Sequence, residues 1–168
     1  MTTATWAGIA ILSFVTLQRL GELWLANRNT SRLLSNGAQE VGAAHYPLIV
    51  AIHGAWLGAL WGFAPGRPIN LLLLFTFALL QLARVWVIAS LGPRWTTRII
   101  VKPEAPLVRA GPYRWLSHPN YVVVALEIAV LPLVFGLWQI AVIFGLLNAA
   151  ILTVRIKAEN DALASLRG

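Results

Sequence analysis

The sequence predicts an all-α, polytopic integral membrane bundle of about five transmembrane helices in a single domain, and three observations lead there. Of the 168 residues, 58% are hydrophobic and only 11% are charged, against roughly 25% charged in a soluble domain. The apolar surplus therefore faces lipid, in keeping with a mean hydropathy of +0.72. The apolar residues also fall into blocks close to the roughly 20 residues that a helix needs to cross a bilayer. Cations, finally, crowd alternate loops.

The first block, from about Ala4 to Leu25, is read as a retained helix, because no basic n-region precedes it and it is long for the core of a signal peptide. A polar loop with Asn and Ser, Asn27 to Ala44, follows. Blocks over 46–64 and 69–91 form the second and third helices. The turn between them, Pro65-Gly66-Arg67-Pro68, breaks helix with two prolines and a glycine and makes a tight hairpin. A polar connection, Gly92 to Ser117, leads to the fourth block, 120–135, which is near the short limit for a span and carries Pro132, so a tilt or kink is expected. Gly136 separates it from the fifth helix, 137–160, in a connection short enough only for a second hairpin.

With the N-terminus outside, the inner loops and tail hold Arg28, Arg32, Arg94, Arg98, Lys102, Arg109, Arg114, Arg155, Lys157 and Arg167, and the outer side only Arg67. That is a strong positive-inside bias and puts the long loop and the tail together on the cytoplasmic side. A pI of 11.1 raises nucleic acid as a partner. Basic residues beside apolar helices instead set topology and meet anionic membrane lipids, and no soluble basic face exists for nucleic acid. The absence of cysteine excludes disulfides, thiolate nucleophiles and zinc–thiolate sites.

Ionisable groups at membrane depth are costly and face protein or a wet cavity. Arg19 and Glu22 are three apart, on one helix face, and suit mutual neutralisation. Arg84, three after Gln81, lies near the cytoplasmic end, where arginine can snorkel. Glu127 has no basic neighbour in its own helix and shares a face with Asn120, which aims both inward. It stands as either a site residue or a support for one. On the last helix Asn148, Leu152, Arg155 and Glu159 form a narrow stripe at about 100° per residue. Either the stripe is a solvated tail, or Arg155 holds a carboxylate and Glu159 accepts ribose hydroxyls or meets a cation.

His45, His53 and His118 are too scattered to argue a metal centre, and none is assigned. His118 differs in preceding Pro119, which biases it toward extended backbone at the start of the fourth helix. Around it Tyr113, Trp115 and Tyr121 either form an interfacial aromatic belt or stack a flat ligand. The segment from Leu107 to Tyr121, polar, aromatic and basic between apolar blocks, points to a polar small molecule bound at the membrane boundary, with an apolar partner arriving from lipid.

Gly111-Pro112-Tyr113, His118-Pro119-Asn120-Tyr121 and Arg155-Ile156-Lys157-Ala158-Glu159 before Leu163 resemble, in that order, the signature of the isoprenylcysteine carboxyl methyltransferase family of membrane enzymes. The resemblance covers roughly residues 80–166. Arg28-Asn29, Gly42-Ala43-Ala44-His45-Tyr46-Pro47 and Arg94-Trp95-Thr96-Thr97-Arg98 look like a bacterial branch of it, associated with O-methylation of alkylpyrones or phenolic lipids. Where the family commonly has arginine before the His-Pro pair this chain has Ser117, and where it commonly has a second glutamate after Glu159 this chain has Asn160.

The resemblance implies S-adenosylmethionine as methyl donor, held at the cytosolic side of a bacterial inner membrane, and a lipophilic small-molecule acceptor arriving through the bilayer. It assigns the donor to Leu107, Val108, Gly111, Tyr113, His118, Pro119, Tyr121, Arg155 and Glu159, with Arg98, Arg114 and Glu127 orienting the acceptor. The missing arginine at Ser117 brings the hydroxyl of an acidic enol or phenol beside the carboxyl of a prenylated cysteine as acceptor. Competing readings are a phospholipid N-methyltransferase, an NADPH-dependent sterol-type reductase, and a non-catalytic lipid-binding scaffold.

Overall fold

A computed structural model describes residues 2–102, 106 and 108–167, with side chains as far as Ala164. Five helices carry the chain: α1 (Thr3–Ser35), α2 (Tyr46–Phe63), α3 (Leu71–Leu91), α4 (Pro119–Val134) and α5 (Trp138–Arg167). Among the described residues, four of them are long and apolar enough to cross a membrane; α4, the shorter, is also apolar. The protein is a multi-pass, all-α membrane bundle. One pole gathers the α2–α3 and α4–α5 turns; the other gathers the ends of α1, α3 and α5 and the starts of α2 and α4.

At 16 residues, α4 spans only about 24 Å at 1.5 Å per residue, less than the roughly 30 Å of a hydrocarbon core. Pro132 has no N–H to offer the carbonyl of Ile128, four residues back. The indole Nε1 of Trp56 on α2 donates to that oxygen instead, at 3.2 Å, so the gap left by proline joins two helices. The helix then stops at Gly136 (φ 69°). Leu137 N donates to Pro132 O and Gly136 N to Leu133 O, both at 3.0 Å, the paired bonds that glycine in the left-handed region makes possible. The apolar core lies near this pole, where Leu12, Trp56, Leu60, Phe77, Leu131 and Phe135 interlock.

Nearer mid-bundle the packing turns polar. Arg84 of α3 grips Glu22 of α1 through Nε and Nη2, both at 2.5 Å, and reaches Glu127 of α4 through Nη1 at 3.0 Å. Arg19 bridges the same two carboxylates, at 3.1 Å to Glu22 and 2.7 Å to Glu127. Gln18 donates to Glu22 and Gln81 to Glu127. Two cations and two anions cancel, and each carboxylate is held by several donors, which is what charge away from water requires. Arg84 is 5% exposed: it faces inward to this cluster and does not snorkel, because two carboxylates in the bundle hold it better than the distant interface.

α1 extends ten residues past Leu25, through the stretch expected as loop. At 33 residues it is about 50 Å long, well beyond the membrane core. Nothing from Asn27 to Ser35 breaks helix, and Asn29 is buried, donating to Trp95 O at 2.8 Å and Gly92 O at 3.4 Å. The extension is thereby tied to the 3-10 turn Gly92–Arg94 that ends α3. A second departure from the sequence reading is a two-stranded antiparallel sheet of β1 (Gln39–Val41) and β2 (Ile99–Val101), with Glu40 opposite Ile100. The β-branched run Ile99-Ile100-Val101 favours that pairing.

A cavity at the pole where α4 begins

Above the start of α4 and the end of α5 lies a cavity of about 510 Å³. Its wall draws Leu33 from the α1 extension, Trp95 and Ile99 from the loop after α3, Tyr113 from the 3-10 turn Gly111–Arg114, His118 and Tyr121 from the start of α4, and Arg155 and Glu159 from α5. Gly111 packs the 3-10 turn that carries Tyr113 against α3. Its φ is 55°, and a Cβ there would lie 2.1 Å from Ser90 Oγ, so only glycine lets the 3-10 turn press against α3.

Four side chains knot α4 to α5. Arg155 Nε donates to Tyr121 Oη at 2.7 Å, and that hydroxyl in turn donates to Glu159 Oε2. The Arg155 guanidinium lies 5.3 Å from the Tyr121 ring centroid. His118 stacks on the same ring, centroids 5.3 Å apart and planes at 15°. Its Nδ1 stands 3.7 Å from Glu159 Oε2 and its Nε2 3.2 Å from Asn160 Oδ1. The α5 stripe is therefore no freely solvated tail at Arg155, which is 7% exposed.

Charge in the cavity is lopsided. Among the described lining residues Arg94, Arg98, Lys102, Arg109 and Arg155 face a lone carboxylate, Glu159. Burial first, and then the Glu159 carboxylate, push the Tyr113 hydroxyl above the usual phenol range, so it stays neutral.

Of the residues singled out from sequence, Val108, Tyr113, His118, Tyr121, Arg155, Glu159 and Arg98 line this cavity. Gly111 and Pro119 do not line it, and Leu107 lies outside the described residues. Arg98 is also committed elsewhere: Nη1 meets both Glu40 oxygens at 3.0 Å and the guanidinium sits 4.5 Å from the Tyr46 ring centroid. With Tyr46 Oη 3.0 Å from Thr97 Oγ1, these contacts pin the sheet to the start of α2. Arg114 is exposed and packs on Trp115 at 5.7 Å. Glu127 is wholly buried in the mid-bundle ion cluster, away from the cavity lining. Sequence reasoning missed Leu33, which the unbroken helical stretch after Asn27 could have revealed, and marked Asn160 only as a departure from the family pattern, not as a partner of His118.

The model of the isoprenylcysteine carboxyl methyltransferase (ICMT) family matches residues 71–165, from α3 through most of α5. The uncharacterized protein YpbQ of Bacillus subtilis is 38% identical over 163 residues, covering 94% of this chain and 95% of that protein. An uncharacterized protein of Haemophilus influenzae is 28% identical over 163 residues, covering 88% and 90% respectively. No solved structure matches the chain.

Proposed function

The chain belongs to the isoprenylcysteine carboxyl methyltransferase family, a family of membrane methyltransferases, and from that premise we propose that it transfers a methyl group from S-adenosylmethionine to a carboxyl or hydroxyl oxygen of a lipophilic acceptor. The observation that carries the proposal is the His118–Tyr121–Arg155–Glu159 knot in the wall of a cavity at the end of apolar helices.

The residues present fit such a donor. A guanidinium has five N–H groups, and Arg155 uses its Nε on Tyr121, so the remaining face is suited to the donor's carboxylate. Glu159 is suited to an ammonium or to ribose hydroxyls, and the neutral Tyr113 ring to a flat base. The volume falls within the range of about 300–1,000 Å³ usual for small-molecule sites. Bound there, S-adenosylmethionine supplies a methyl group activated on a sulfonium, which an oxygen nucleophile displaces in line. What remains for the protein is placement and the exclusion of water.

Trp95 and Ile99, both buried, keep the far wall dry. The cations Arg94, Lys102 and Arg109 favour an acceptor that reacts as an anion. A carboxyl, with a pKa near about 4, is already ionised at neutral pH; an enol or phenol hydroxyl beside those cations ionises more readily than in water. Because the basic residues cluster at the cavity pole, the proposal puts the cavity in the cytoplasm, the N-terminus outside and, in a bacterium, the chain in the inner membrane.

Membranes holding the protein, incubated with methyl-labelled S-adenosylmethionine and then extracted, test the reading. Label is expected in an apolar fraction, lost on mild alkali from a methyl ester and kept by an enol or phenol ether. Label confined to phosphatidylethanolamine derivatives would replace oxygen by nitrogen, and no label above membranes without the protein would end the proposal.

A further inference from the structure

Asn160 stands apart from the donor site as drawn so far. It does not line the cavity, yet its side-chain oxygen lies 3.2 Å from Nε2 of His118, which does. Stacking on Tyr121 fixes the plane of the His118 ring. It does not fix which way round the ring sits, because a half-turn about Cβ–Cγ keeps the plane while exchanging Nδ1 with Cδ2 and Nε2 with Cε1. Such sp³–sp² torsions are broad and roughly two-fold.

Two neighbours read the difference. Glu159 faces Nδ1 at 3.7 Å, and Asn160, the next residue and about 100° further round α5, faces Nε2. Turned over, the ring would put carbon against both. The Glu159 contact is long, and its carboxylate already takes the Tyr121 hydroxyl, so the shorter bond to Asn160 decides the orientation. An amide also serves whichever nitrogen carries the proton, since it offers an oxygen to N–H and an N–H to a bare nitrogen.

We propose that Asn160 is a positioning residue of the methyl-donor site, holding His118 in the one orientation that directs Nδ1 to Glu159 and leaves that carboxylate aligned toward the cavity. The inference rests on the reading of the cavity as an S-adenosylmethionine site, and its test separates the two. The chain has three histidines, so ¹⁵N-histidine labelling gives few ring signals, and His118→Gln assigns those of His118. In Asn160→Leu the His118 ring resonances are expected to shift while those of His45 and His53 stay in place.

In the same preparation the affinity for S-adenosylhomocysteine, measured by calorimetry, is expected to weaken about tenfold, the scale of one lost hydrogen bond. Asn160→Asp, which keeps an acceptor at the same reach, is expected to restore binding to within about threefold of the parent. Unchanged His118 resonances in Asn160→Leu overturn the inference whatever the ligand does. So do shifted resonances with unchanged affinity, or an aspartate variant no better than leucine. A parent that ignores S-adenosylhomocysteine overturns the donor site, and the inference with it, even where the ring resonances move. Asn160→Ala serves the same comparison should the leucine variant not fold.

Discussion

Tyr121 shows how much of the site hangs on single atoms. Its hydroxyl accepts from Arg155 and donates to Glu159, so one oxygen links the cation and the anion assigned to the donor. Tyr121→Phe leaves both partners in place but unlinked. S-adenosylhomocysteine binding is expected to weaken by about ten- to a hundredfold, as for loss of hydrogen bonds to charged groups. The effect should be strongly non-additive with Glu159→Ala, because both changes remove the same link. Full additivity in a double-mutant cycle by calorimetry would show that Tyr121 and Glu159 act separately.

Residues of this knot were legible because two short motifs carry them, with His118 and Tyr121 three apart at the start of α4 and Arg155 and Glu159 four apart on α5. Partners joined across the fold were not. Glu40 lies 58 positions from Arg98, and Glu127 meets arginines 43 and 108 positions away. No local spacing announces such pairs.

The helices themselves write their limits in residues that cannot continue them. Pro65 to Pro68 ends α2 and Gly136 separates α4 from α5, as read from sequence. Where no breaker stands, at Asn27 to Ser35, polarity suggested a loop and backbone continuity gave helix. Polar side chains were read there as solvent-facing, while Asn29 instead turns inward to close the end of α3.

At mid-bundle α1, α3 and α4 are fastened to one another by charge. Removing one carboxylate from the Arg19–Glu22–Arg84–Glu127 cluster leaves the buried Arg84 and the partly buried Arg19 with a single partner. Glu127→Ala is therefore expected to cost about 3–5 kcal/mol, read as a large fall in thermal midpoint in detergent. S-adenosylhomocysteine binding should fail only at temperatures where the variant unfolds. A stable Glu127→Ala protein that has lost binding would give Glu127 a direct part in the site instead.

At the scale of the whole molecule, the bundle is sealed by an apolar core at one pole and opened by a basic cavity at the other. Because the chain has no cysteine, single cysteines report its orientation cleanly. Arg67→Cys in intact cells is expected to react with a membrane-impermeant maleimide, and Lys102→Cys only after the membrane is opened. The reverse pattern would place the cavity outside, where no S-adenosylmethionine is made.

Everything functional depends on the cavity between the α3–α4 loop and α5 holding a methyl donor. Calorimetric titration of the purified protein with S-adenosylhomocysteine tests that most directly. Saturable binding at one site per chain is expected in the parent, weakened about tenfold or more in Glu159→Gln. Absence of binding in the parent, or equal affinity in both proteins, would contradict the assignment of this cavity.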